Sequence, residues 1–402
     1  MRIAVYHNLP SGGGKRTLHE QVKRLARRHQ IDLFSPGSAN QSFADVRAFV
    51  QHTVVLPFAP GNLFSTPFGR LNQGVRIVDL LRLRRVMRSL AEQINLGDYD
   101  VALVHPCMFT FSPTALRHLR VPSVYYRQDP VRWLHEPKVP RPYYRNGSVR
   151  QRLDRLDPLY RGYFRLLSHE DERSMWAATR VLTNSYFMRE SLYRLYGLAP
   201  FVCYHGVDTQ LFRPLDLARQ PYVLSVGAIA PHKGYDFLIQ SLACIPVASR
   251  PSLILVGNVA SVNEQRYLTQ LAAQLEVEVD FRQLVSDDEL VRFYNQALCT
   301  VYAPVLEPFG LAPLESMACG TPVVGVREGG VRETVVHGET GLLTDRDPQC
   351  FADAVASLLQ DATRRERYGQ QGRTYVESQW QWDRSVAELE RHLLGAVRQR
   401  AG

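Results

Sequence analysis

Apolar residues fall in short runs along this chain, and most runs are followed by a longer stretch in which they recur every three to four positions. Arg2–His7 reads as a strand that feeds the turn Ser11-Gly-Gly-Gly-Lys-Arg16, and a helix is predicted from about Thr17 to Arg28. Ile31–Ser35 reads as the next strand, so the chain opens as strand, glycine loop, helix, strand. Asp98–His105, Ser123–Tyr126 and Val181–Thr183 are further strands, the last opening onto Asn184-Ser185 and a helix to about Tyr196. In the back half Tyr222–Gly227, Leu253–Gly257, Val277–Phe281, Cys299–Pro304 and Pro322–Val326 read as strands. Helices are predicted from about Asp236, over 263–275 and 286–297, and near 348–360 and 383–398. Strands alternating with helices pair in parallel, with helices on both faces. The predicted fold class is therefore α/β, with a Rossmann-like, doubly wound sheet in each half. Pro214 and Pro221 flank a polar stretch where the join should fall, giving domains at 1–206 and 207–380 and a last helix at 381–402.

One helix carries two readings. Over 76–94, Ile77, Leu80, Leu83, Met87, Leu90 and Ile94 recur at three- and four-residue steps, with Arg76, Arg82, Arg85 and Arg88 mostly elsewhere. A buried face backed by a solvated arginine face explains this. Docking on anionic lipid is the alternative, favoured somewhat by Phe58, Phe64 and Phe68 in the loop upstream.

Composition narrows the class. At 402 residues, with 45% apolar and 22% charged, the chain has the size of two ordinary domains and the make-up of a soluble globular protein. The net charge of +9 conceals an asymmetry, because 30 of the 48 Lys and Arg but only 15 of the 39 Asp and Glu lie in residues 1–200. A basic front half suits nucleic acid, anionic lipid or a phosphorylated acceptor, but no recognised nucleic-acid motif is present, and no nucleic-acid partner is expected. Six cysteines show no CxxC or zinc spacing, and most sit in apolar runs, so buried free thiols in a reducing compartment are expected. Met1–Tyr6 is too short for a signal peptide and no run of roughly 18 apolar residues occurs. A cytoplasmic protein is expected, with peripheral attachment to the cytoplasmic face of a membrane left open.

The stretch Glu307-Pro-Phe-Gly-Leu-Ala-Pro-Leu-Glu315, with Met317-Ala-Cys-Gly-Thr-Pro-Val-Val-Gly325 behind it, carries the most chemistry. Pro313 suits a first helical turn and Gly320 a helix stop, so the N–H groups from Phe309 to Leu314 crowd at a helix N-terminus and favour an anion. A carboxylate on either side of a phosphate-sized site fits a ligand with both phosphate and hydroxyls, such as a sugar nucleotide. Upstream, Gly227-Ala-Ile-Ala-Pro-His-Lys-Gly234 follows a strand. Alone, Lys233 is a surface lysine beside a turn glycine; beside Glu307 and Glu315 its ammonium is better read as a diphosphate ligand. Gly227, Gly257 and Leu284, at or just beyond strand ends, join Phe309, Gly310 and Leu311 as donor-binding candidates. Gly13 and Gly14 let backbone approach a ligand, while Lys15 and Arg16 sit where a helix dipole disfavours cations unless an anion lies near. The P-loop pattern fails at Leu9 and Arg16. Tyr125-Tyr-Arg-Gln-Asp-Pro-Val-Arg132 brings Arg127, Gln128 and Asp129 to a strand end. His105 reads best as a satisfied strand-end histidine. Gly329 and Gly330 serve a turn. Asp98-x-Asp100 and Asp345-x-Asp347 match a short metal pattern but read as element edges, and no metal site is expected.

Glu307 to Glu315 closely resembles the E-x7-E signature of the retaining glycosyltransferases of family 4, which have the GT-B fold. The resemblance is strongest over 179–345, weaker over 1–135, and silent over 136–170. It implies two Rossmann-like domains facing a central cleft, acceptor on the first and nucleotide sugar on the second, with the last helix crossing back near Trp380 and Trp382. It further implies Glu315 on the ribose, Glu307 on the donor sugar, Lys233 on the diphosphate, and the Gly13-Gly14 loop between donor phosphate and acceptor. Two departures stand out. Ala228 replaces a common arginine, a gap that His232 or an arginine of the first domain would have to fill. Gln128 stands where a histidine is usual, and it cannot ionise but can hold a sugar hydroxyl. The implied reaction moves a hexose, mannose first, from GDP-mannose or a UDP-sugar to a glycan, lipid or small-molecule hydroxyl with retention. No separate cofactor is implied. Two alternatives remain: a GT-B sugar-phosphate enzyme (a phosphorylase or epimerase), or a weakly catalytic nucleotide-sugar-binding subunit of a polysaccharide-assembly complex.

Overall fold

The structure, a computed structural model, describes residues 1–64, 71–130, 136, 138–144, 157–257 and 261–401. Its first sheet comprises β1 (Arg2–Asn8), β2 (Gln30–Pro36), β3 (His52–Leu56), β4 (Val101–Cys107), β5 (Ser123–Arg127), β6 (Arg180–Thr183) and β7 (Phe201–Val202), in the order β3-β2-β1-β4-β5-β6-β7. The second comprises β8 (Tyr222–Val226), β9 (Ser252–Gly257), β10 (Val279–Gln283), β11 (Cys299–Tyr302), β12 (Val323–Val326) and β13 (Gly341–Thr344), in the order β10-β9-β8-β11-β12-β13. Every pairing is parallel. The order reverses between β1 and β4 in one sheet and between β8 and β11 in the other, and ligands of such sheets bind beyond the strand ends at that crevice. The α/β, doubly wound class expected from the alternation is therefore present in both halves.

Side chains of period two divide each core into two layers. Ile3 and Val5 face a layer containing Leu18, Val22, Leu389 and Leu393, while Ala4 and Tyr6 face Leu83, Met87 and Leu90. The helix predicted over 76–94 spans Asn72–Leu96; it buries Leu80, Leu83, Met87, Leu90 and Ile94 and exposes all four of its flanking arginines, Arg76, Arg82, Arg85 and Arg88. Phe58 is buried beside it and Phe64 exposed; Phe68 lies outside the described residues. Among the described residues no helix is long and apolar enough to cross a membrane. Cys107, Cys203, Cys299 and Cys319 are buried free thiols, whereas Cys244 and Cys350 are exposed.

Several elements differ from the pattern reading. The first helix begins at Gly13, not Thr17, because the glycine tract itself forms the first turn, and it ends at Leu25. Strand β3 escaped notice because its mixed edge positions do not alternate cleanly. The helix Ala362–Gln379 escaped it because that stretch is largely polar and buries few side chains, Tyr368 and Val376 among them. The chain crosses between the halves twice, side by side: Val207 N donates to Trp380 O at 2.7 Å, and Val207 pairs with Gln381. Trp380 packs in the second half, and the helix Trp382–Ala401 returns to the first sheet, where Leu389, Leu393 and Ala396 meet Ile3 and Leu182.

Candidate active site

A cleft of about 440 Å³ lies between the sheets at their carboxyl ends. Its second-half wall is the segment after β11. Gly310, at φ 102°, starts the helix Leu311–Ala318, so the backbone of Phe309–Leu311 turns toward the cleft with its N–H groups outside the helix ladder. Gly329 and Gly330 pack beneath this segment: a Cβ on Gly329 would lie 2.3 Å from Glu307 O, and one on Gly330 2.3 Å from Pro308 O. Gly330 N also donates to Glu307 O at 2.8 Å. These glycines are the floor that lets Glu307 and Pro308 settle, a larger part than a simple turn.

Lys233 ends a single 3-10 turn, Pro231–Lys233, after β8. Gly234, at φ 68°, follows because a Cβ there would lie 2.1 Å from Ala303 O. Val305 N donates to His232 O at 2.8 Å, tying this turn to the loop that carries Glu307. The two side chains meet, Lys233 Nζ donating to Glu307 Oε2 at 2.8 Å. Glu315 sits deeper, 8% exposed, and accepts from the Tyr294 hydroxyl at 2.9 Å. Burial raises its carboxyl above the usual range, against the pull of Arg16.

The first half supplies the facing wall. Gly12, Gly13 and Gly14 line it, and Arg16 reaches across to Asp287 Oδ1 at 2.7 Å. Burial opposes the Arg16 charge, but Glu315 and Asp287 hold its guanidinium above its usual value. Lys15, by contrast, turns inward: it is fully buried, its Nζ lies 3.3 Å from His7 Nε2, and burial lowers it to about 8. Gln128 is 5% exposed, with its Nε2 3.3 Å from His105 Nδ1. Burial, reinforced by Lys15, lowers His105 to about 3, so the neutral ring accepts from the amide. Asp129 lines the same wall.

Two matches decide the family. The profile described as Glycosyltransferase Family 4 matches residues 11–211, and the one described as Glycosyl transferases group 1 matches 208–375. The chain belongs to glycosyltransferase family 4. It is 36% identical over 234 residues to a D-inositol 3-phosphate glycosyltransferase of Acidothermus cellulolyticus, covering 52% of each chain. It is 34% identical over 212 residues to a GDP-mannose-dependent alpha-(1-6)-phosphatidylinositol monomannoside mannosyltransferase of Mycobacterium tuberculosis, covering 47% of this chain and 54% of the relative. The chain thus spans about half the length of the curated relatives it matches. Among solved structures, sucrose-phosphate synthase from Thermosynechococcus elongatus superposes with a TM-score of 0.73 at 20% identity, covering 98% of this chain and 99% of that one. Anabaena HepE in complex with UDP-glucose gives 0.68 at 20% identity, covering 98% and 100%. These likenesses establish the GT-B arrangement of two Rossmann-like halves.

Within this family 4 chain, twelve of the residues singled out from sequence line the one cleft: Glu307, Lys233, Gln128, Glu315, Phe309, Gly310, Leu311, Gly227, Gly257, Gly13, Gly14 and Asp129. Two do not. Arg127 is 1% exposed and turned away from the cleft, donating from Nη1 to Asp171 Oδ1 at 2.8 Å and to Ser112 and the Tyr125 hydroxyl. Alternation along β5 forces this, since Arg127 shares the face of Tyr125 while Gln128 falls beyond the strand end. Leu284 is 79% exposed, at φ 56°, and its neighbour Val285 takes the cleft position. Arg132 lies outside the described residues.

Sequence reasoning missed His205 and the grip of the first half on the Glu307 segment. His205 is fully buried at the crossing between halves and stands edge-on to Phe309, centroids 4.9 Å apart. Burial lowers it to about 3. Ser185 Oγ donates to Pro308 O at 2.5 Å, and Glu333 accepts from Tyr186 N at 2.9 Å, Phe187 N at 2.8 Å and the Tyr204 hydroxyl at 2.8 Å. No local spacing signals these contacts; in the sequence Ser185 stands only between a strand and a helix, whose N-terminus it caps through Met188 N.

Proposed function

We propose that this family 4 chain transfers a hexose from a nucleoside diphosphate sugar, held on the second half, to a hydroxyl held against the first. The observation that supports this reading is the pairing of Lys233 with Glu307 at a helix N-terminus, on the same wall as Glu315 and opposite Gly13, Gly14 and Gln128. Lys233 and the N–H groups of Phe309–Leu311 receive the diphosphate, and Glu307 moves from the ammonium to the sugar hydroxyls. Glu315 takes the ribose hydroxyls. Arg16 is the cation that fills the gap at Ala228. Gln128 holds a sugar hydroxyl without moving a proton.

The barrier lies in charge separation. The bond from the anomeric carbon to the diphosphate oxygen breaks, and its electron pair leaves with the diphosphate. The acceptor oxygen bonds to that carbon, and its proton passes to the departing phosphate on the same face, which retains configuration. Each preorganised donor on the leaving group contributes on the order of 3 kcal/mol. GDP-mannose is the first donor to test, because the M. tuberculosis relative is named as GDP-mannose-dependent.

The test is mass spectrometry after incubation with GDP-, UDP- and ADP-sugars, with membrane lipid and simple glycosides as acceptors. Consumption of one donor with release of its nucleoside diphosphate and a product heavier by one hexose is expected. Donor consumption that needs free phosphate, or no acceptor at all, would replace transfer by a sugar-phosphate reaction. Thermal stabilisation by a nucleotide without any turnover would leave a binding subunit.

A further inference from the structure

The stretch 138–144, in the part of the chain where no motif was legible, lies in sequence between β5 and the helix Pro158–Trp176 of the first half, and its Arg141 and Tyr143 side chains bond to the second half. Its centre is Arg141, whose side chain is 2% exposed. Nε donates to both oxygens of Glu264, at 3.0 and 2.9 Å, and Nη2 to Glu264 Oε1 at 2.8 Å. Nη1 and Nη2 also donate to the two oxygens of Asp236, at 2.9 and 3.0 Å. The guanidinium stacks over Tyr267, 5.3 Å from the ring centre, and the Tyr143 hydroxyl donates to Glu264 as well.

Nη1 further donates to the neighbouring Pro140 O at 3.1 Å, but the informative contact is another. Arg141 Nη2 donates to Pro231 O at 2.9 Å. Pro231 starts the turn that ends at Lys233, and Asp236 lies in the first turn of the helix that follows. Glu264 opens the helix Val262–Gln274 and is fully buried, and Ser261 N beside it donates to Ile229 O at 3.0 Å. One guanidinium therefore holds the Lys233 turn at Pro231 and the helix after it at Asp236, and it is tied through Glu264 to the helix whose leading Ser261 meets Ile229 before the turn. It comes from the half that carries Gly13, Gly14 and Gln128. Arginine's planar fork meets two carboxylates and the Pro231 carbonyl at once, which a lysine ammonium on a flexible stem does not.

We propose that Arg141 is a positioning residue, which fixes the Pro231–Lys233 turn so that the Lys233 ammonium points at the donor diphosphate, and which makes that placement depend on docking of the 138–144 strap. The inference rests on the reading of Lys233 as a diphosphate ligand. Arg141 itself touches no substrate, so its loss acts on the diphosphate and spares the nucleoside, whose ribose sits at Glu315.

Calorimetric titration of the full chain with GDP and UDP, and with guanosine and uridine, tests this. For whichever base binds, Arg141→Met should weaken the diphosphate at least tenfold and change the nucleoside less than twofold. Arg141→Lys should fall between. If Arg141→Met does not fold, Asp236→Asn, which removes one clamp acceptor at a partly exposed site, should weaken the diphosphate about threefold with the same selectivity. Lys233→Ala is the reference. If it loses diphosphate affinity while the Arg141 and Asp236 variants keep theirs, the strap inference is overturned and the donor-site reading stands. Equal loss of diphosphate and nucleoside would also overturn it, by making Arg141 a general structural tie. If the unaltered chain binds neither diphosphate, the donor-site reading fails and the inference with it.

Discussion

Lys233 Nζ lies 2.8 Å from Glu307 Oε2, and the two residues are 74 positions apart. The pair joins two loops that end different strands, β8 and β11, which are neighbours in the sheet. The carboxylate keeps the ammonium oriented, and under the proposed reading it stands where the donor diphosphate would bind.

Removing either partner should therefore cost turnover and not the fold. Lys233→Ala and Glu307→Gln should each lower turnover at least tenfold, with unfolding midpoints close to the unaltered protein because both side chains are partly exposed. The double variant should lose less than the product of the two, since the two side chains are in direct contact and each single variant already breaks their pair. Near-normal turnover in both single variants would remove Lys233 and Glu307 from the chemistry.

Arg127 and Asp129 should separate stability from activity. Arg127→Met leaves Asp171 buried at 1% exposure with its main charge partner gone, a loss of roughly 3–5 kcal/mol. Asp129→Asn, at the cleft, should change turnover and leave the urea midpoint in place. A midpoint for Arg127→Met equal to that of the unaltered chain would contradict the buried ion pair.

The buried imidazoles give acid sensitivity a direction. Burial holds both His105 and His205 down to about 3 in the fold, whereas an unfolded imidazole takes up its proton near 6.5. Between those values the unfolded chain binds more protons, so stability is full above about pH 6.5 and falls as pH falls. Each ring contributes at most about 1.4 kcal/mol per pH unit in that window. Urea midpoints measured from pH 7 to 4.5 should decline less steeply in His105→Gln than in the unaltered chain. Parallel slopes would show that His105 is not held neutral.

Ser185→Ala should loosen the Glu307 segment from the first half. Losing the hydrogen bond to Pro308 O leaves that carbonyl short of a donor, a cost of about 1–3 kcal/mol. The expected result is a larger fall in kcat than in thermal stability, with Ser185→Thr restoring much of both. An unchanged kcat would make the contact a tie of the fold alone.

Much of this was legible along the chain because it is local. Parallel doubly wound sheets follow from the alternation of apolar runs with helical periods, since a strand buried on both faces has to be apolar throughout. Pro313 in a first turn and Gly320 at the stop bracket a helix and place its N-terminus without reference to any distant residue, and twelve of fourteen chosen site positions reached one cleft. Arg127 did not, because which face of β5 it joins depends on where the strand ends, a matter of one residue. Leu284 failed the same way, a single position from Val285.

What lay beyond local pattern is everything that one half does to the other. Arg16 reaching Asp287, Ser185 holding Pro308, and Arg141 clamping the Lys233 turn join residues more than a hundred positions apart, except for Arg141 and its nearer partners, which are 90 and 95 apart. A charged or hydroxylated side chain carries no mark in sequence of the carbonyl or carboxylate it will meet. Its partner is chosen only when the two sheets face one another across their carboxyl ends, and in this chain that meeting completes the cleft.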